Sequence, residues 1–78
     1  MHSETWSKVS VVLFDRQLHV LDRLGRDIRA RNGKSMTRAE IIRALIDGMI
    51  ESGMDISTSG SEADLRARVA RRLGAPYR

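Results

Sequence analysis

The first hydrophobic pattern along the chain has a period of two and covers residues 6 to 14 (WSKVSVVLF). Alternation among β-branched residues is typical of a strand that buries one face. The buried face of this strand would comprise Val9, Val11 and Leu13. Its exposed face would comprise Lys8, Ser10 and Val12. The pattern therefore predicts one short β-strand, preceded by a flexible arm over residues 1 to 5.

From residue 15 the period changes to three and four, which is typical of an amphipathic helix. We expect a first helix over residues 15 to 31, with Asp15 as its N-cap. Asn32 and Gly33 should end it, since both tolerate the left-handed conformation found after helices. Its apolar stripe consists of Leu18, Leu21, Leu24, Gly25 and Ile28.

A second helix is predicted from Thr37 to about Ser52. Thr37 and Glu40 match a capping box, and Met36 and Ile41 match the hydrophobic staple around it. Its apolar positions cover roughly half of the helix circumference, and they are Ile41, Ile42, Leu45, Ile46, Met49 and Ile50. One strand and one helix cannot easily bury so wide a face, which favours a second copy of the chain as the partner.

The last third of the chain predicts a linker over residues 53 to 60 and a basic helix within residues 61 to 78. Ser61 and Asp64 resemble a capping box, and Gly74 and Pro76 end the helix. Three interpretations stay open for this segment: packing or oligomerisation, binding of a toxin protein, and extra contact with a DNA backbone.

Composition restricts the choice of function. The 78 residues form one small domain, and such domains are commonly stabilised by dimerisation. The formal net charge is +4, which makes nucleic acid or an anionic surface the first partner to test. Cysteine is absent, so neither disulfides nor thiolate chemistry is available. Neither a secretory signal nor a membrane span is evident, and a cytoplasmic protein is expected.

The single strand is the most informative element, because a lone strand leaves its edge groups without partners. Pairing with the same strand of a second copy would give an antiparallel two-stranded ribbon. The expected fold is mainly α with one short β-strand, assembled as an intertwined homodimer. The predicted dimer core is Val9, Val11, Leu13, Leu18, Leu21, Ile42, Leu45, Ile46 and Met49.

In this order of elements the chain resembles the ribbon-helix-helix DNA-binding family of the MetJ/Arc/CopG type. The stretches that carry the resemblance are KVSVVLFDRQLHVLDRL and NGKSMTRAEIIRAL, within residues 6 to 52. The resemblance implies that Lys8, Ser10 and Val12 read bases in the major groove of double-stranded DNA. It also implies that the start of the second helix anchors the DNA backbone, through Lys34, Ser35, Thr37, Arg38 and Ala39. A helix N-terminus offers free N–H groups to a phosphate, which agrees with this role.

Other candidate chemistry is weak. The isolated His2 and His19 do not form a metal site, and no cofactor is expected. Without a nucleophile and base at suitable spacing, we expect no enzyme activity. The arginines of the first helix are interspersed with Asp22 and Asp27, so we expect mainly a solvated face with one or two phosphate contacts.

The sequence thus predicts a transcriptional repressor that binds DNA as a homodimer, with higher oligomers on DNA as an option. The alternative is an antitoxin that neutralises a toxin through residues 61 to 78 and represses its own operon. A helix-turn-helix domain is a third hypothesis, but it leaves the strand unexplained.

Overall fold

The computed structural model describes residues 4 to 74 and contains three α-helices within them. They are α1 (Asp15–Asn32), α2 (Arg38–Ser52) and α3 (Glu62–Arg72). The chain divides into two units, Met1–Ile41 and Ile42–Arg78, so that the boundary falls inside α2.

All three predicted helices are present, and the ends of α1 and α2 and the start of α3 follow the expected capping chemistry. Gly33 follows α1 with a positive φ of 76°, and its N–H donates to the Arg29 carbonyl. Gly53, with a φ of 70°, follows α2. Ser61 is the N-cap of α3, where its hydroxyl accepts from the Asp64 N–H. Glycine tolerates these left-handed conformations because it has no Cβ.

The start of α1 differs by one residue from the prediction. Phe14 is the N-cap and Asp15 is the first helical residue. The side chain of Gln17 takes over part of the capping, because its Oε1 accepts from the Phe14 N–H at 2.8 Å. Asp15 is still favourably placed, since a carboxylate in the first turn complements the positive end of the helix dipole.

The predicted β-ribbon is wrong. Residues 4 to 14 form neither a helix nor a strand, and residues 4 to 74 hold no strand at all. Alternating β-branched residues make a strand only when a neighbour accepts and donates the ladder hydrogen bonds. The described part of the chain contains no second strand, so residues 6 to 14 have no neighbour with which to form the hydrogen bonds of a sheet.

The core is smaller than predicted, because Ile41 alone is buried among the described residues. Val9 and Val11 of the predicted core are exposed, as are Leu45 and Ile46 of α2. The other predicted core positions are half-buried, namely Leu13, Leu18, Leu21, Ile42 and Met49. Ile41 was predicted as a staple residue and as part of the apolar face of the second helix, but not as part of the dimer core. Its methyl lies near Gly25 of α1, 3.9 Å from where a Cβ would be.

Candidate nucleic-acid interface

The N-terminus of α2 is fixed by a reciprocal capping box. The Thr37 N–H donates to Glu40 Oε1 at 2.8 Å, and the Glu40 N–H donates to Thr37 Oγ1 at 3.1 Å. The sequence pattern predicted this arrangement. Because the Thr37 amide donates to Glu40, it is not available to an external anion. The capping box also places the Glu40 carboxylate at this end of the helix.

Two backbone donors remain at this helix end. Within residues 4 to 74, no acceptor takes the N–H groups of Arg38 and Ala39. They belong to the first turn, which has no intrahelical partners for its amides, and the positive end of the helix dipole lies there. Such a terminus attracts anions, phosphates included.

Arg38 is not free to move, because it forms a two-pronged salt bridge with Asp22 of α1. Its Nε and Nη2 donate to the two carboxylate oxygens, each at 2.9 Å. The hydrogen bond from Arg38 lowers the pKa of Asp22 below its ordinary value, and the same contact raises the pKa of Arg38. The fork geometry gives the pair a fixed direction, which joins the middle of α1 to the start of α2.

A glycine lets these two elements approach each other. A Cβ on Gly25 of α1 would lie 3.2 Å from the carbonyl oxygen of Met36. Gly25 belongs to the apolar stripe of the helix, where any larger side chain would meet the backbone just before α2. The close approach brings the capping box next to the C-terminal half of α1.

An open groove of about 340 Å³ lies at this junction. Its basic lining residues are Arg26 and Arg29 of α1 together with Arg38. The rest of the lining is Leu21, Asp22, Gly25, Ser35, Met36 and Thr37. Arg38 and Asp22 neutralise each other in their salt bridge, and the Glu40 carboxylate caps the adjoining helix end. The positive charge of the groove therefore rests on Arg26 and Arg29, which suit an anionic ligand.

The structure brings the predicted phosphate-binding residues together only in part. Ser35, Thr37 and Arg38 line the groove, whereas Lys34 and Ala39 adjoin it in sequence and are exposed. The sequence predicted one or two phosphate contacts from the arginines of the first helix without saying which of them, and Arg26 and Arg29 are the two that line the groove. Their spacing of three residues places them on one side of α1, and this spacing could have identified them.

The predicted base readers do not belong to the groove. Lys8, Ser10 and Val12 are exposed in the segment without helix or strand, and Val12 is 96% accessible. The paired ribbon that was to align them is absent from the described residues. Their assignment as base-reading residues remains a prediction from the sequence.

The second unit has its own local network, in which α3 is held against the loop before it. Arg68 donates to Asp64 Oδ1 at 3.2 Å and to Thr58 Oγ1 at 2.9 Å. Arg72 donates to the Ser52 carbonyl at 3.3 Å, at the C-terminal end of α2. The Gly60 N–H and the Arg68 guanidinium both lower the pKa of Asp64. Two of the arginines of α3 are thus engaged within this unit.

The part of the chain that the structure describes holds no cluster of three or more potential metal ligands. Over the same residues, no helix combines the length and apolar character needed to cross a membrane. No protein-family model, curated protein or solved structure matches the chain.

Proposed function

We propose that this chain is a transcriptional repressor that binds double-stranded DNA as a homodimer. The observation that carries the proposal is the groove at the start of α2, which Arg26, Arg29 and Arg38 line together with Thr37. The role of this groove is to anchor the DNA backbone rather than to read the sequence.

The chemistry of the groove fits a phosphodiester. Guanidinium groups bind phosphate oxygens with two parallel hydrogen bonds, and they keep their charge at every physiological pH. At the adjoining helix end, the amides of Arg38 and Ala39 have no acceptor within residues 4 to 74 and are further donors for an anion. Backbone contacts of this kind fix the register of a protein on the duplex.

A dimer is supported by the apolar surface that each unit leaves uncovered. In the first unit, Val9, Val11 and Val12 are between 73% and 96% exposed. In the second unit, Leu45, Ile46 and Ile50 of α2 are between 48% and 65% exposed. Contiguous apolar surface of this kind marks an interaction site, and a second copy of the chain would cover it.

The test is fluorescence anisotropy on a labelled duplex over a series of salt concentrations. Arg26→Gln/Arg29→Gln should weaken binding and reduce the slope of log K against log salt by roughly two, because about one counterion is released per phosphate contact. Arg43→Gln is the matched control, since Arg43 is an exposed arginine of α2 outside the groove. Equal binding by both variants would remove the groove from the interface.

Sequence selectivity is tested in the same assay with DNA from upstream of the gene and with scrambled DNA. Lys8→Ala/Ser10→Ala should reduce the preference for the upstream DNA if residues 8 and 10 contact bases. If the wild-type protein binds neither duplex, the repressor proposal fails and the antitoxin alternative becomes the first to test. Affinity purification with residues 61 to 78 as bait would then be the relevant experiment.

A further inference from the structure

The basic side chains of α1 form a ridge that extends well beyond the groove. We define the α1 ridge as Arg16, His19, Arg23, Arg26 and Arg29, all of which are exposed. At about 100° per residue they lie within about 140° of the helix circumference. The apolar stripe of α1 lies outside this sector, so the ridge and the stripe are separate surfaces of one helix.

Few acidic groups neutralise the ridge. Asp15 and Asp22 lie in the same sector, but both oxygens of Asp22 are already bound by Arg38. No ion pair joins Arg16, Arg23, Arg26 or Arg29 to a carboxylate within residues 4 to 74. The hydrogen bond from Arg38 lowers the pKa of Asp22, and the charges of Arg26 and His19 on the ridge lower it as well. Asp22 therefore offsets part of the charge around Arg26, whereas Arg16 and Arg23 have no such partner among the described residues.

At the N-terminal end of the ridge, Arg16 contacts an aromatic ring. The Arg16 guanidinium lies 5.4 Å from the centre of the Phe14 ring, a distance at which a cation is attracted to an aromatic face. This contact restrains Arg16 at the first turn of α1. The ridge from Arg16 to Arg29 spans about 20 Å, at 1.5 Å rise per residue.

We infer that the α1 ridge is a second contact with the DNA backbone, continuous with the groove, in which Arg16 and Arg23 bind phosphates beyond those held at α2. The inference rests on the proposed function and extends its binding surface. One DNA strand carries a phosphate every 3.4 Å or so along the axis, so a 20 Å ridge runs past roughly six of them.

A nucleic acid fits the ridge better than an anionic membrane does. A helix that lies on a membrane inserts its apolar stripe beneath its basic residues. In α1 most of that stripe is engaged within the unit, because Leu18, Leu21 and Ile28 are half-buried and Gly25 meets the backbone at Met36. Leu24, at 39% exposure, is its one exposed member. The ridge instead leads into the groove, whose helix N-terminus offers directed donors for phosphate oxygens.

The test compares Arg16→Gln/Arg23→Gln with the wild-type protein on a generic duplex of about 30 base pairs. The salt slope should fall by about two, and by about four when Arg26→Gln/Arg29→Gln is added. Arg31→Gln is the control on the same helix, because Arg31 is exposed but lies outside the ridge sector. Circular dichroism of each variant would establish that the helices are retained.

The outcomes separate this inference from the proposed function. Wild-type binding with an unchanged slope in Arg16→Gln/Arg23→Gln would overturn the ridge and leave the groove intact. Failure of the wild-type protein to bind any duplex would overturn both. Stronger binding to vesicles of mixed phosphatidylserine and phosphatidylcholine than to DNA, lost in the same variant, would assign the ridge to a membrane surface instead.

Discussion

Two glycines in helices have opposite roles at the scale of the single residue. Gly48 lies in α2, and nothing approaches within 4 Å of the position that its Cβ would take. Gly48→Ala should therefore stabilise the protein by about 1 kcal/mol, the usual difference between the two residues inside a helix. Gly25→Ala should lose that gain, because its Cβ would press on the Met36 carbonyl at 3.2 Å.

Urea unfolding followed by circular dichroism measures both substitutions against the wild-type protein. We expect Gly25→Ala to be less stable than Gly48→Ala, and to weaken DNA binding by moving the start of α2 away from Arg26 and Arg29. Equal stabilisation by both substitutions would mean that the Met36 backbone yields freely, and that the close approach does not set the geometry of the groove.

At the scale of elements, the Asp22–Arg38 salt bridge links α1 to α2 and should make the first unit sensitive to acid. The hydrogen bond from Arg38 lowers the pKa of Asp22 in the folded state. A carboxyl with a lowered folded pKa contributes stability that is fully present above its unfolded pKa, about 3.9. This contribution is lost as the pH falls through the folded pKa.

Urea titrations between pH 7 and pH 2.5 test this linkage. The difference in unfolding free energy between the wild-type protein and Asp22→Asn should be largest above about pH 5 and should shrink below pH 4. The side chains of Arg38 and Asp22 are 54% and 38% exposed, so solvent screens the pair and a modest difference is expected. Asp27→Asn, on the same helix without a described ion pair, is the control. A difference that is constant over the whole range would show that the salt bridge does not titrate with folding.

The elements also differ in how far the sequence predicts them. The capping box of Thr37 and Glu40, the glycines after α1 and α2, and the Ser61 cap are local, so residue types within one turn are enough to place the helices. A strand depends on a partner elsewhere, and the alternation of residues 6 to 14 does not contain that partner. The groove likewise joins residues 16 positions apart, such as Asp22 and Arg38, and helical spacing alone does not reveal their contact.

At the scale of the whole molecule, the small core is the strongest argument for a dimer. Ile41 is the one buried residue among those described, at 3% exposure, whereas domains of this size fold alone only when they bury a larger apolar core. Thirteen large hydrophobic side chains of the described chain are exposed. If the proposed dimer supplies the missing stabilisation, the stability of the protein should rise with its concentration.

Two adjacent substitutions in α2 test this conclusion. Leu45→Asp puts a charge in the apolar face, and Ala44→Asp adds the same residue about 100° away, outside that face. Both positions are exposed. Light scattering at micromolar concentration should give twice the 8.8 kDa chain mass for the wild-type protein and for Ala44→Asp. Leu45→Asp should be monomeric or unfolded. Thermal unfolding of the wild-type protein should also shift upward with concentration, which keeps the test valid if Leu45→Asp cannot fold. A helical wild-type monomer with concentration-independent unfolding would contradict the dimer, and the apolar face of α2 would then need a different partner.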